Sequence, residues 1–198
     1  MRQRQYLSVL SNASKGSITY YVGEDENDVK HLVDCTLLCK NNFNPKLDNV
    51  DLVQSNNPQL DFYKLSADYQ QDYLQEEKLE YKDGYYLHKD ALIGNNVTIG
   101  KGSVIGKCVI ENNVKIHPNV VIYAETKIMS DVVIEANSVI GAEGMMWVWD
   151  NEKRVYLHQL GGVIIESNCR IGSNVTIVRY IILLIIRCKK KRIKGLTC

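Results

Sequence analysis

Isoleucine or leucine recurs every six residues through the middle of the chain: Leu87, Ile93, Ile99, Ile105, then Ile110 after one step shortened to five, and Ile116, Ile122, Ile128, Ile134 and Ile140. After an interruption the beat returns at Ile165, Ile171 and Ile177. Gly often follows directly, as at Gly94, Gly100, Gly106, Gly141 and Gly172. A small or β-branched residue often sits four positions on, as at Val97, Ser103, Val114, Val120, Thr126, Val132 and Ser138. A helix needs apolar spacing near 3.6 and a flat strand needs 2; neither yields six. Six residues fit one short strand and its corner, and three such units close a coil with three flat faces. Stacked coils pair strand on strand at roughly 4.8 Å and pile the isoleucines into an interior column. Gly and the asparagines Asn95, Asn96, Asn112 and Asn113 mark corners, where positive φ is needed. The pattern predicts a mainly β chain built on a parallel β-helix over residues 85–179, of undetermined hand.

Residues 1–80 lack the beat and read as a small α/β domain. Ser17 to Val22 is β-branched and aromatic, and predicts a strand; Thr36 to Cys39 and Val50 to Val53 predict two more. Asp25 to Asp34 suits a short helix with its acidic residues early. Asn57-Pro58 opens a second helix, carrying Phe62, Leu65, Tyr69 and Tyr73 at spacings of three and four. Gln75 to Gly84 is polar and unpatterned, and reads as a linker. Residues 142–161 hold two tryptophans and two methionines without a hexad, and read as a loop thrown out from one corner.

From Val178 the text changes. An apolar run, Tyr180 to Ile186, precedes a basic cluster, Arg187 to Arg192. Residues 180–198 read as an aberrant tail that drops the repeat, as translation in a shifted frame would. A membrane-surface anchor is the other reading of an apolar run beside a basic cluster. The net charge of +1 gives no bulk field toward nucleic acid or membrane. Six cysteines follow no disulfide or metal-ligand spacing, and read as reduced thiols. No apolar segment follows the polar Met1 to Gln5, and no run is long enough to span a bilayer, so the expected location is cytoplasmic.

Several stretches resemble the UDP-3-O-acylglucosamine N-acyltransferases of the lipid A pathway in Gram-negative bacteria. They are Ala13 to Tyr20; Asn57-Pro58 with Phe62 to Leu65; Ile116 to Tyr123; Val139 to Gly144; and His158-Gln159-Leu160-Gly161-Gly162-Val163-Ile164-Ile165. The resemblance runs to Ile177. It implies a left-handed β-helix, a homotrimer with acyl-donor sites between subunits, and a uridine-binding N-terminal domain. It implies transfer of a 3-hydroxyacyl group from acyl carrier protein to the amine of a UDP-linked glucosamine, with no bound cofactor, metal or nucleic acid. Tyr20 falls on an aromatic of the family's uracil pocket, and is the substrate-binding candidate.

The chain departs from that family at several positions. Gly23 and Glu26 stand where the family has Asn and a second aromatic. Glu143-Gly144-Met145-Met146 replaces its "DGFG", and Ile177-Val178-Arg179-Tyr180 its "IDRG". A coil histidine is the family's general base, and the resemblance places it beyond the end of this chain, which is then expected to be incomplete and inactive or nearly so. His117 is the remaining candidate base, although the resemblance makes its position a non-catalytic one. His31 and His88 read as surface residues, and His158 as a loop residue within reach of a ligand. Two alternatives stand beside the acyl carrier protein-dependent enzyme. One is an acetyl-CoA-dependent nucleotide-sugar acetyltransferase for surface polysaccharide; the other is a non-enzymatic β-helix that serves assembly.

Overall fold

The computed structural model describes residues 6–69, 72–180 and the backbone of 183–186. The chain divides into two compact units, Met1–Gln70 with Met145–Leu160, and Gln71–Gly144 with Gly161–Cys198.

The first unit carries a parallel sheet of β1 (Tyr6–Leu7), β2 (Ser17–Tyr20), β3 (Thr36–Lys40) and β4 (Asp51–Ser55), in sequence order. The expected strands are present, with ends displaced by a residue or two. Leu37 and Cys39 are buried with Val29, Leu32, Cys35 and Phe43. Helix α1 (Pro58–Ser66) starts as the Asn57-Pro58 pair requires: the Asn57 side chain accepts a hydrogen bond from the Leu60 N–H at 3.1 Å, and proline takes the first helical position. Its buried face presents Leu60, Phe62 and Tyr63.

Two expectations for this unit need correction. The helix expected over Asp25 to Asp34 is a single 3₁₀ turn, Glu26–Asp28. The Asp25 carboxylate accepts from the Asn27 backbone at 2.9 Å and from its side chain at 2.7 Å. Such local bonds compete with helix propagation. Tyr73 does not extend α1, which closes at Ser66 with a 3₁₀ turn following over Ala67–Tyr69.

The stretch read as a loop is an antiparallel hairpin, Trp147–Asp150 with Lys153–Tyr156. It packs on α1, tied by an ion pair of 2.7 Å between Lys64 and Asp150. The His158 N–H also donates to the Ser66 hydroxyl, at 3.0 Å. The inserted segment therefore belongs to the first unit, although its flanks lie in the second.

In the second unit the supposed linker forms β5 (Leu79–Lys82), paired antiparallel with β6 (Tyr85–His88). Asp83 and Gly84 make the turn with φ of 52° and 95°. An Asp-Gly pair is a strong hairpin signal, and it was present in the sequence. From β6 onward the chain coils through three parallel sheets. One begins with β5 and β6 and adds Val104–Ile105, Val121–Ile122, Val139–Ala142 and Thr176–Val178. The second stacks Leu92–Ile93, Val109–Ile110, Thr126–Ile128, Gly162–Ile165 and Leu183–Ile186. The third stacks Thr98–Ile99, Lys115–Ile116, Val133–Ile134 and Arg170–Ile171.

Register follows the isoleucines. Ile93 pairs with Ile110, Ile110 with Ile128, and Ile128 with Ile165. The columns form one core in which Ile105, Ile122, Ile128, Ile134, Ile140, Ile165 and Ile171 have no exposed surface. Each such side chain contributes roughly 2–3 kcal/mol of burial. A second interior slot lies two residues before each isoleucine, filled by Val114, Val120, Val132 or Val175. Cys108 and Cys169 occupy the same slot, which accounts for two of the cysteines. Where serine takes it, the hydroxyl caps the neighbouring coil: Ser103 accepts from the Val120 N–H, and Ser138 from that of Val175, both at 3.2 Å.

The third residue after the isoleucine turns the corner in the left-handed region. Asn96, Asn113, Asn119, Glu125, Asp131, Asn137, Asn168 and Asn174 all have φ between 55° and 63°. Of the four asparagines marked in the sequence, Asn96 and Asn113 hold this conformation; Asn112 instead accepts a hydrogen bond from the Asn95 N–H at 2.8 Å. Corner side chains form ladders, with Asn96 donating to Asn113 at 3.1 Å and Asn113 to Asp131 at 3.2 Å. The glycines after the first isoleucines meet the next coil closely. A Cβ on Gly100 would lie 2.4 Å from the Pro118 nitrogen, and one on Gly94 would lie 2.7 Å from the Glu111 carbonyl carbon.

The repeat was expected to be lost after Ile177. Instead, Leu183–Ile186 pairs in parallel register with Gly162–Ile165 and begins a further coil. An apolar, β-branched run matches a strand as well as it matches an anchor. The basic cluster and the rest of the tail lie outside the described residues.

Candidate functional site

Tyr20 ends β2, at the carboxyl edge of the parallel sheet, where open α/β sheets commonly bind ligands. Its ring packs against Phe62 of α1, with centroids 4.9 Å apart. Along the same edge Lys40 pairs with Glu24 at 3.4 Å, and the Asn41 amide donates to Asn56 at 2.7 Å. A Cβ at Gly23 would lie 2.3 Å from the Tyr21 hydroxyl, so a side chain there requires the Tyr21 ring to move. That hydroxyl donates to the Asp28 carboxylate at 2.7 Å and accepts from the Asp25 N–H. The bond to Asp28 holds the Tyr21 phenol above its ordinary pKa. Glu26 is exposed in the 3₁₀ turn.

His117 follows Ile116 and stands on the outer surface of the solenoid's third sheet. Its Nε2 lies 3.5 Å from one oxygen of Glu135, whose other oxygen lies 3.6 Å from Arg170. The stacked coils supply this row of imidazole, carboxylate and guanidinium, since Lys115 pairs with Val133 and Val133 with Arg170. A carboxylate beside an imidazole orients the ring. His117 is partly open to solvent. The sequence singled out His117 but not Glu135, whose partnership follows from the coil length.

The remaining histidines divide differently from expectation. His88 is 1 % exposed, not a surface residue. Its Nδ1 accepts from the Asp90 N–H at 3.0 Å, leaving Nε2 to donate to the Gln75 side chain at 3.2 Å. The segment taken for a linker covers it. His31 is exposed, as expected, but lies outside any helix, with its ring 2.9 Å from the Leu10 carbonyl.

Arg179 was seen only as part of a motif, yet it is 1 % exposed. Its guanidinium stacks on Tyr73 at 3.3 Å from the ring centroid. Nε donates to the Gly141 carbonyl at 2.7 Å, and Nη2 to that of Ala124 at 3.4 Å. Gly141, with φ of 82°, is the bulge that turns its carbonyl toward the arginine. Burial lowers the guanidinium's pKa, while contact with Tyr73 and the carboxylates of Glu143 and Glu125 act the other way. Beside Tyr123 the same sheet bears an apolar groove of about 510 Å³ lined by Leu74, Leu79, Tyr86, Val104 and Val121, with Glu76 at its edge.

Among the described residues, no helix is long and apolar enough to cross a membrane, and no cluster of three or more His, Cys, Asp or Glu is arranged to hold a metal. No curated protein matches the chain. Two family descriptions do match parts of it: bacterial transferase hexapeptide (six repeats) over residues 107–142, and hexapeptide repeat of succinyl-transferase over residues 162–182. Hexapeptide-repeat transferase domains therefore lie on both sides of the inserted hairpin, and the parallel β-helix they build is the left-handed one.

Proposed function

We propose that the chain is an acyltransferase of the lipid A type, which moves a 3-hydroxyacyl group from acyl carrier protein to the amine of a UDP-linked glucosamine. The observation that carries this reading is the arrangement of the repeats. Transferase hexapeptides at 107–142 and 162–182 flank one inserted segment that leaves the solenoid in register. The same order of small α/β unit, hexads, aromatic insert and renewed hexads underlies the sequence resemblance.

Acyl transfer to an amine needs a base, because an ammonium has no lone pair to attack a thioester, and a neutral imidazole can take the proton near pH 7. Of the histidines in the described solenoid, His117 has its ring partly open to solvent, whereas His88 is buried and bonded. His117 is therefore the base to test within this chain. Tyr20 is the residue to test for the uridine. A homotrimer and a cytoplasmic location accompany this reading.

The test is a donor comparison read by mass spectrometry. Purified protein is given a UDP-aminosugar with either 3-hydroxyacyl-acyl carrier protein or acetyl-CoA. Because the resemblance makes the His117 position a non-catalytic one, little or no N-acylated sugar is the expected result; turnover from the carrier-protein donor that falls about a hundredfold or more in His117→Ala overturns that expectation and assigns the base to His117. Preference for acetyl-CoA moves the chain to the nucleotide-sugar acetyltransferases.

A further inference from the structure

Both tryptophans of the chain stand on one face of the inserted hairpin. Trp147 faces Tyr156 across the ladder, and Trp149 faces Arg154, so strand alternation places all four side chains on the same side. Met145, two residues before Trp147, is 84 % exposed; Trp149 is 53 % and Tyr156 46 % exposed. The indoles meet edge to face at 5.0 Å, and the Arg154 guanidinium lies 4.6 Å from one ring centroid and 5.4 Å from the other. On the opposite face Val148 and Val155 are half-buried, and the Asp150 carboxylate is paired with Lys64. At the tip, Glu152 is followed by Lys153. The charge in contact with the indoles is the positive one of Arg154.

We propose that this face docks reversibly on the interfacial region of an anionic lipid bilayer. Three features of the patch support that occupant over a protein. Trp and Tyr favour the headgroup level, where the ring body is apolar and the N–H or O–H stays wet, and a flexible thioether beside them adds apolar depth. The exposed part of these side chains comes to roughly 400–500 Å², too little for the ~800 Å² per partner of a stable protein interface, but ample for weak interfacial insertion. The cation lying across the indoles complements phosphate headgroups. Surface residues of this size are left exposed at some expense in solubility, and the largest apolar patch of a monomer is often a functional one.

Because the two tryptophans are the only ones in the chain, tryptophan fluorescence excited beyond the tyrosine absorption reads this patch alone. The protein is titrated with vesicles of phosphatidylcholine containing phosphatidylglycerol, and with pure phosphatidylcholine vesicles. The expected result is a blue shift and quenching by bilayer-embedded probes with the anionic vesicles, reversed by high salt. Arg154→Gln should weaken partitioning about fivefold. Met145→Ser, at a residue with almost no folded contacts to lose, should weaken it as well, with unchanged far-UV circular dichroism. Absence of a shift overturns the proposal. So does binding that persists in both variants but disappears on deleting residues 187–198, and so does a blue shift that appears on raising protein concentration without lipid.

Discussion

The Arg179 guanidinium lies 3.3 Å from the centre of the Tyr73 ring, and its Nε donates to the Gly141 carbonyl at 2.7 Å. One buried cation thereby joins a coil, its bulge and the segment before β5. Replacing Arg179 with Met should destabilise the second unit by about 3 kcal/mol, because two buried carbonyls lose donors and an aromatic face loses its cover. Arg179→Lys should be nearly as damaging, since an ammonium cannot both stack flat and reach two carbonyls. Denaturant titration followed by circular dichroism measures both.

The interior column makes a graded prediction. Ile134→Ala removes a side chain with no exposed surface, and should cost about 3 kcal/mol. Ile93→Ala lies in the first coil, where the side chain is 38 % exposed, and should cost less than half as much. Equal losses at the two sites would show that the end coil is covered.

Asn113 combines a left-handed backbone, φ 59°, with two ladder bonds. Asn113→Gly keeps the backbone and loses the ladder, which should cost about 1 kcal/mol. Asn113→Ala loses both, and should cost about 1–2 kcal/mol more. The difference between the two melting temperatures isolates the conformational part.

Burial pushes the Cys108 thiol up to about 12. A raised value means that the folded state holds its proton more tightly than the unfolded chain. The stabilisation is complete below the unfolded value near 9 and is lost as pH rises from there toward 12. Stability should therefore fall with pH in that alkaline window, and the fall should be shallower in Cys108→Val. Cys35, Cys39, Cys108 and Cys169 are all buried and outside any disulfide, so a thiol reagent at pH 8 should modify them only after unfolding.

Much of the solenoid was written in the chain, because its interior side chains repeat with the backbone. A six-residue beat fixes which residues face inward, and Ile128 and Ile165 pair despite the insertion between them. Readings that relied on polarity failed where the backbone made the decision. Gln75 to Gly84 looked like a linker, yet its Asp83-Gly84 turn closes a hairpin, and Gln75 buries His88. Asp25 to Asp34 had helical composition, but Asp25 and Asn27 bond each other first. For the site, His117 was legible as a residue and illegible as a partner. Glu135 stands beside it because 18 residues complete one coil from Ile116 to Ile134, a relation no local window contains.

The inserted segment also sets how this architecture can vary. Ile110 pairs with Ile128, and Ile128 with Ile165, so the first step spans 18 residues and the second 37 without loss of alignment. The corner after Ile140 behaves as a socket: what is plugged in there leaves the columns above and below untouched. A different segment at that socket would leave the isoleucine pairing of Ile110, Ile128 and Ile165 as it stands.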